Sequence, residues 1–150
     1  MNVHDAAAYI TANFDSGIST MKLQKLCFYA QGWTLALLDQ PLFPEEFQAW
    51  RNGPVCYELF VGHRGNFSVS SWPQGDPSNI GKRERIVLDA MLSNFGALTG
   101  LQLSDLTHKK GTPWAVVRDQ AGTTQGGASN EVISQNSIQS YFKSSLRPGV

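Results

Sequence analysis

Cysteine is scarce. The chain has two, Cys27 and Cys56, each inside an apolar run. One pair in 150 residues is no disulfide scaffold, so both read as small buried side chains with free thiols. Histidine is nearly as rare. His4, His63 and His108 stand far apart, and neither Cys-x-x-Cys nor His-Glu-x-x-His spacing occurs; no metal and no cofactor are expected. Charge is thin as well, at 16% of residues, where about a quarter is usual. The 12 basic and 12 acidic residues cancel. Residues 1–75 carry four basic and six acidic groups, and residues 76–150 carry eight and six. No concentrated basic face of the kind that duplex binding needs is visible, so a nucleic-acid partner is not the first expectation. No apolar run approaches the ~20 residues that cross a bilayer. The opening Met1-Asn2-Val3-His4-Asp5 lacks a basic stretch leading into an apolar one. The expected location is therefore the cytoplasm, away from membranes.

What remains is a helical pattern. A chain of 150 residues suits one domain, 1–150, with a core of its own. Asn2 followed by Asp5 marks a first helix, with Val3, Ala6, Ala7, Ile10 and Phe14 at helical spacing. The strongest segment is Thr20–Leu38, capped by Ser19 or Thr20. Leu23, Leu26, Cys27, Ala30, Trp33 and Leu37 make one stripe, while Met21, Phe28, Tyr29, Leu35 and Leu38 fill other sides. A helix apolar on most faces is buried on most faces, so this is the expected centre of a mainly α fold. Pro54, after the turn Asn52-Gly53, reads as the first position of a short helix over residues 55–61. Residues 62–81 read as a packed surface loop anchored by Phe67, Val69 and Trp72. A second strong helix spans residues 80–98. Shorter ones follow at 105–109, capped by Ser104, and at 113–119, capped by Thr112. A last helix follows Ser134 with Ile138, Tyr141, Phe142 and Leu146 in register. Residues 47–50 and 131–133 are the candidates for one short two-stranded antiparallel pair.

Chemistry is harder to find. Gly75, Gly81 and Lys82 imitate a phosphate loop, but the spacer is one residue too long and Arg83 stands where Ser or Thr should be. Adjacent Glu45 and Glu46 point to opposite faces of a strand and would not share a proton. Cys56 follows a turn at a helix start, which would lower a thiol pKa, making it the better nucleophile candidate; the other reading is a small core side chain. Two basic clusters, Lys82-Arg83-Arg85 and His108-Lys109-Lys110, read either as solvated faces or as a patch for nucleic acid. On the central helix, Lys22, Lys25 and Tyr29 form one polar stripe, and Gln24 and Gln31 share another face. Such groups either fix neighbouring loops or form a docking surface.

The run Met21-Lys22-Leu23-Gln24-Lys25-Leu26-Cys27-Phe28-Tyr29-Ala30-Gln31-Gly32-Trp33-Thr34-Leu35-Ala36 resembles the signature of the Panacea (SocA-like) antitoxin domain. Further blocks agree in order: Pro41-Leu42-Phe43; Phe47-Gln48-Ala49-Trp50-Arg51-Asn52-Gly53-Pro54-Val55; Leu106-Thr107-His108 with Pro113-Trp114 and Arg118; and Ile138 with Tyr141-Phe142. The chain departs from the pattern at Cys27 and Phe28, where Leu and Tyr are commoner, and at Thr34, where His is common. The resemblance implies a nearly all-helical protein of bacteria or their phages that neutralises a toxin, usually by direct contact. At least one branch of the family instead delivers its toxin to a Clp-type protease.

Four readings are therefore open. The first is a non-enzymatic module that binds a cognate protein toxin. Its contact surface would include Trp50, Arg51, Asn52 and Tyr57, to which the Lys22, Lys25 and Tyr29 stripe is added; Trp50 reads equally as core. The second is an adaptor for a Clp-type protease, tethered through the tail 143–150. The third is a nucleic-acid-binding regulator using the two basic clusters. The fourth is an enzyme built on Cys56.

Overall fold

A computed structural model of the chain describes residues 1–124 and 126–146. The tail read as a tether lies, from residue 147 on, outside the described residues.

Helix α1 (Val3–Thr11) opens on a capping box: Asn2 accepts from the Asp5 N–H, and Asp5 accepts from the Asn2 N–H. Strand β1 (Ile18–Ser19) leads into α2 (Thr20–Leu38), capped by the Ser19 side chain. Residues 23 to 35 of α2 are buried without interruption. The helix has no solvent face over this stretch because α1, α4, α5, α7 and β3 surround it. Strands β2 (Phe47–Trp50) and β3 (Gly53–Cys56) form a hairpin that runs into α3 (Tyr57–His63). After β4 (Ser68–Val69) and a 3₁₀ turn (Pro77–Asn79) come α4 (Lys82–Phe95), α5 (Gly100–Thr107), α6 (Pro113–Gln120), β5 (Val132–Ile133) and α7 (Gln135–Ser145). The fold is mainly α, and its buried apolar side chains form one cluster.

The sheet content exceeds the expected single pair. β5 does pair antiparallel with β2, Phe47 opposite Ile133. β3 adds a third strand in the order β3-β2-β5, and β1 pairs with β4 as a second small sheet. This corrects the reading of Pro54 as a helix start: it sits in β3 opposite Ala49. The Ala49 N–H donates to the Glu131 carbonyl on the other side, at 2.8 Å, so proline's missing N–H costs the hairpin nothing. The helix starts at Tyr57 instead. A second correction concerns α5. The expected cap Ser104 lies inside it, and the helix begins at Thr99, which forms a capping box with Gln102. In the loop, Trp72 is buried and donates to His4 Nδ1, but Phe67 is 86% exposed and anchors nothing.

Close approach decides one helix pair. A Cβ on Gly32 would stand 2.2 Å from the Phe142 ring, so only glycine lets α7 lie this close to α2. Phe142 in turn meets the edges of Phe28 and Tyr29.

Candidate functional site

The polar groups of α2 have distinct tasks. The Gln31 amide accepts from the Leu42 and Phe43 N–H groups and donates to the Phe43 carbonyl, fixing the segment after α2. Gln24 does the same for β3. It accepts from the Cys56 N–H at 2.9 Å and donates to the Cys56 carbonyl at 3.1 Å. It also donates to His63 Nε2 at 3.0 Å. An imidazole nitrogen that accepts carries no proton, so His63 is neutral here with its hydrogen on Nδ1. Burial, and secondarily the charge of Lys25, hold its pKa below the ordinary value.

The stripe Lys22, Lys25 and Tyr29 is not one exposed surface, which corrects that expectation. The helix is covered on all sides, so each residue meets a different neighbour. Lys22 Nζ lies over the Phe14 ring and donates to the Gly96 carbonyl. Tyr29 is 7% exposed and stacks on Phe95, ring centroids 4.4 Å apart. Lys25 is 2% exposed and reaches under the β2–β3 hairpin, where Nζ donates to the Pro54 carbonyl at 3.1 Å.

That hairpin is held by side chains from three helices. Arg118 donates to the Ala49 carbonyl, Trp114 Nε1 to Trp50 and His108 Nε2 to Arg51. Ser104 donates to Asn52 and Lys25 to Pro54. The backbone of the turn is thereby fixed while the side chains of Arg51 and Asn52 remain exposed. Trp50 is half-buried, edge-on to Phe60 at 5.0 Å, so it is neither fully core nor fully free. Tyr57 is 45% exposed beside Phe60, its hydroxyl within reach of Arg64.

Concavities flank the turn. One, of about 600 Å³, is lined by Arg51, Asn52, His108, Lys110, Trp114 and Arg118, with Asp119 at its wall. The other, of about 330 Å³, has Lys25, Gln24 and His63 with Met21, Trp50 and Phe60, and again shares Arg51 and Asn52. The structure thus brings Trp50, Arg51, Asn52 and Lys25 together and leaves Lys22 and Tyr29 elsewhere. Among the described residues, the larger cavity at the turn is lined by His108 and Lys110 and by none of Lys82, Arg83 and Arg85.

The electrostatics are one-sided. Arg118 is 4% exposed, donates to the carbonyls of Ala49 and Gly127, and lies over the Trp114 ring. Lys25 has its pKa pushed down to about 8 by loss of water. Among the described residues the one ion pair is Lys143–Asp39, far from either. The buried Lys25 bonds to a carbonyl, and Arg118 to two carbonyls with the Trp114 ring beneath it.

Cys56 takes the place of a small core side chain, the other reading of it: it is wholly buried, and desolvation pushes its thiol up to about 12. The low pKa expected of a helix start is lost because the residue belongs to a buried strand and has Glu58 beside it. Cys27 is raised for the same reason. Among the described residues no three His, Cys, Asp or Glu side chains converge.

Sequence patterning does not single out Phe60, His63, Trp114 or Arg118 for this face. The available signal is spacing, three residues from Tyr57 to Phe60 to His63 and four from Trp114 to Arg118.

With the geometry in place, comparison with known proteins is informative. The family model "Antitoxin SocA-like, Panacea domain" matches residues 23–115. That span holds α2, the hairpin, α5 and Trp114. Antitoxin SocA of Caulobacter vibrioides (strain NA1000 / CB15N) is 29% identical over 129 residues, covering 77% of this chain and 68% of the relative. No solved structure matches the chain.

Proposed function

Because the chain belongs to the SocA-like Panacea antitoxin family, we propose that it is a non-enzymatic antitoxin that neutralises a protein toxin by direct contact through the tip of the β2–β3 hairpin. One observation carries the choice of surface. The turn backbone is fixed by donors from α2, α5 and α6, yet Arg51 and Asn52 project freely between two concavities. A preformed tip with an arginine and an aromatic beside it suits an interface anchor, since the ordering cost is met before binding. Tyr57 and Phe60 extend the face on one side, and Lys110 and Trp114 on the other. Catalysis has no part in this reading, because neither thiol is exposed or activated.

The test is co-expression with candidate toxins, the products of adjacent genes first. Growth should be restored by the wild type and lost with Arg51→Glu and Asn52→Trp, with both variants folded by circular dichroism. Rescue should persist in a host lacking Clp-type proteases. Rescue that vanishes in that host would assign the chain to delivery rather than occlusion. Rescue undiminished by both substitutions would remove the hairpin tip from the interface.

A further inference from the structure

We propose that the cavity over Lys25 is the seat of a carboxylate, presented by an aspartate or glutamate side chain of the partner protein with an apolar neighbour beside it. The inference rests on the reading of the hairpin tip as the contact face.

Lys25 has unused hydrogen-bond donors. An ammonium has three N–H donors, and Lys25 Nζ donates to the Pro54 carbonyl and to no other group among the described residues. It is nonetheless 2% exposed, so its route to solvent is the cavity that it lines. No neighbouring acceptor is bonded to the remaining donors: the Gln24 oxygen accepts from the Cys56 N–H. His63 Nε2 accepts from Gln24 and leaves only an N–H on its other nitrogen. No acidic residue lines the cavity, and Arg51 at its wall adds a second positive charge.

A buried charge is ordinarily paired or neutralised. Within the chain this one is neither, and the cavity gives it a way to the outside. The walls select among anions. Met21, Trp50, Val55 and Phe60 make most of the lining apolar, so the space suits one small charged group carried on an apolar segment. The cleft on the other side of the turn has the same sign of charge, with Lys110 and Arg118 against Asp119. A partner segment crossing the tip meets a positive field on both sides, which favours an acidic peptide over a basic one.

The test needs no toxin. Isotope-labelled full-length protein is titrated at low salt with millimolar acetyl-Leu-Asp-Leu-amide and, separately, with acetyl-Leu-Asn-Leu-amide. The readouts are the Lys25 side-chain resonances and the Trp50 indole N–H. The aspartate peptide should shift both saturably and bind about tenfold tighter than the asparagine peptide, the least expected of a charge-assisted bond. Lys25→Met should abolish the preference, and Lys82→Gln, at an exposed site on α4 that lines neither cavity, should keep it. Equal shifts from the two peptides, or none from either, would overturn the proposal. So would inorganic phosphate or a single-stranded oligonucleotide shifting Lys25 more strongly than the aspartate peptide. A peptide preference in a chain that neutralises no toxin would refute the antitoxin reading and leave this one standing; neutralisation without the preference would do the reverse.

Discussion

The side-chain amide of Gln24 closes both backbone groups of Cys56, taking its N–H at 2.9 Å and its carbonyl at 3.1 Å. The outer edge of a three-stranded sheet is thus paired by a helix side chain acting as a fragment of a fourth strand. An open edge would attract other chains; this one is occupied. Replacing Gln24 by Met keeps the volume and removes the pairing. Two buried backbone groups would lose their partners, at about 1–3 kcal/mol each, so urea unfolding should show a loss of roughly 2–6 kcal/mol. A loss below about 0.5 kcal/mol, the range of neutral surface changes, would mean that water replaces the amide.

Burial of Lys25 gives stability an unusual pH dependence. Its folded pKa of about 8 lies below the ordinary 10.5. Between those values the unfolded chain holds the extra proton, so the lysine's contribution to stability rises with pH from about 8 upward. Cys56, raised to about 12 from 9.0, acts in the opposite sense above pH 9. The difference between wild type and Lys25→Met isolates the lysine. Between about pH 7 and 9 the wild type should gain roughly 1 kcal/mol relative to the variant. Parallel urea-unfolding curves across that range would show that Lys25 stays solvated.

Gly32 and Phe142 form a coupled pair. Gly32→Ala drives a methyl into the ring and should cost about 1–3 kcal/mol by overpacking. In a Phe142→Leu background the same change should cost less, with a coupling of at least about 0.5 kcal/mol. Additive thermal shifts would mean that α7 moves away freely.

Trp114 tests the fixation of the turn. Trp114→Phe removes the donor to the Trp50 carbonyl, a 2.6 Å bond, while keeping an aromatic under Arg118. Amide exchange at residues 50–53 should quicken by about tenfold, the equivalent of one neutral hydrogen bond. Toxin affinity should weaken with it. Unchanged exchange would assign the turn's order to the strands alone.

Both thiols should resist modification. With Cys27 and Cys56 buried and their pKa values raised, iodoacetamide at pH 8 should label them only on denaturation, as read by intact mass. Native labelling of Cys56 would restore the nucleophile reading.

The dominant helix was legible because Leu23, Leu26, Cys27, Ala30 and Trp33 repeat at helical steps and all are buried. The β2–β5 pair was legible from its apolar runs. The hairpin was not. Pro54 suits a helix start locally, and only the pairing of Ala49 with a strand about eighty residues later, through the Glu131 carbonyl, makes an edge strand the better place for it. The candidate surface was half legible. Trp50, Arg51 and Asn52 stand together in sequence and remain together in space. Lys25 reaches them from another element, and its polar stripe with Lys22 and Tyr29 gave no sign that three neighbours would divide it. Arg118 lies beyond the span of the family match, and its role depends on the carbonyl of Ala49 sixty-nine residues away.

An exposed arginine at a loop tip is ordinarily an invitation to trypsin-like proteases, and Arg51 occupies that position. Cleavage requires several residues around the bond to leave the surface and extend into the enzyme. Here the carbonyls of Ala49, Trp50, Arg51, Asn52 and Pro54 are each held by a side chain from α2, α5 with its C-cap His108, or α6. The bond after Arg51 is therefore expected to be cut on the timescale on which the hairpin detaches from α2, α5 and α6, and an exposed basic side chain marks one of the slowest places on this face to digest.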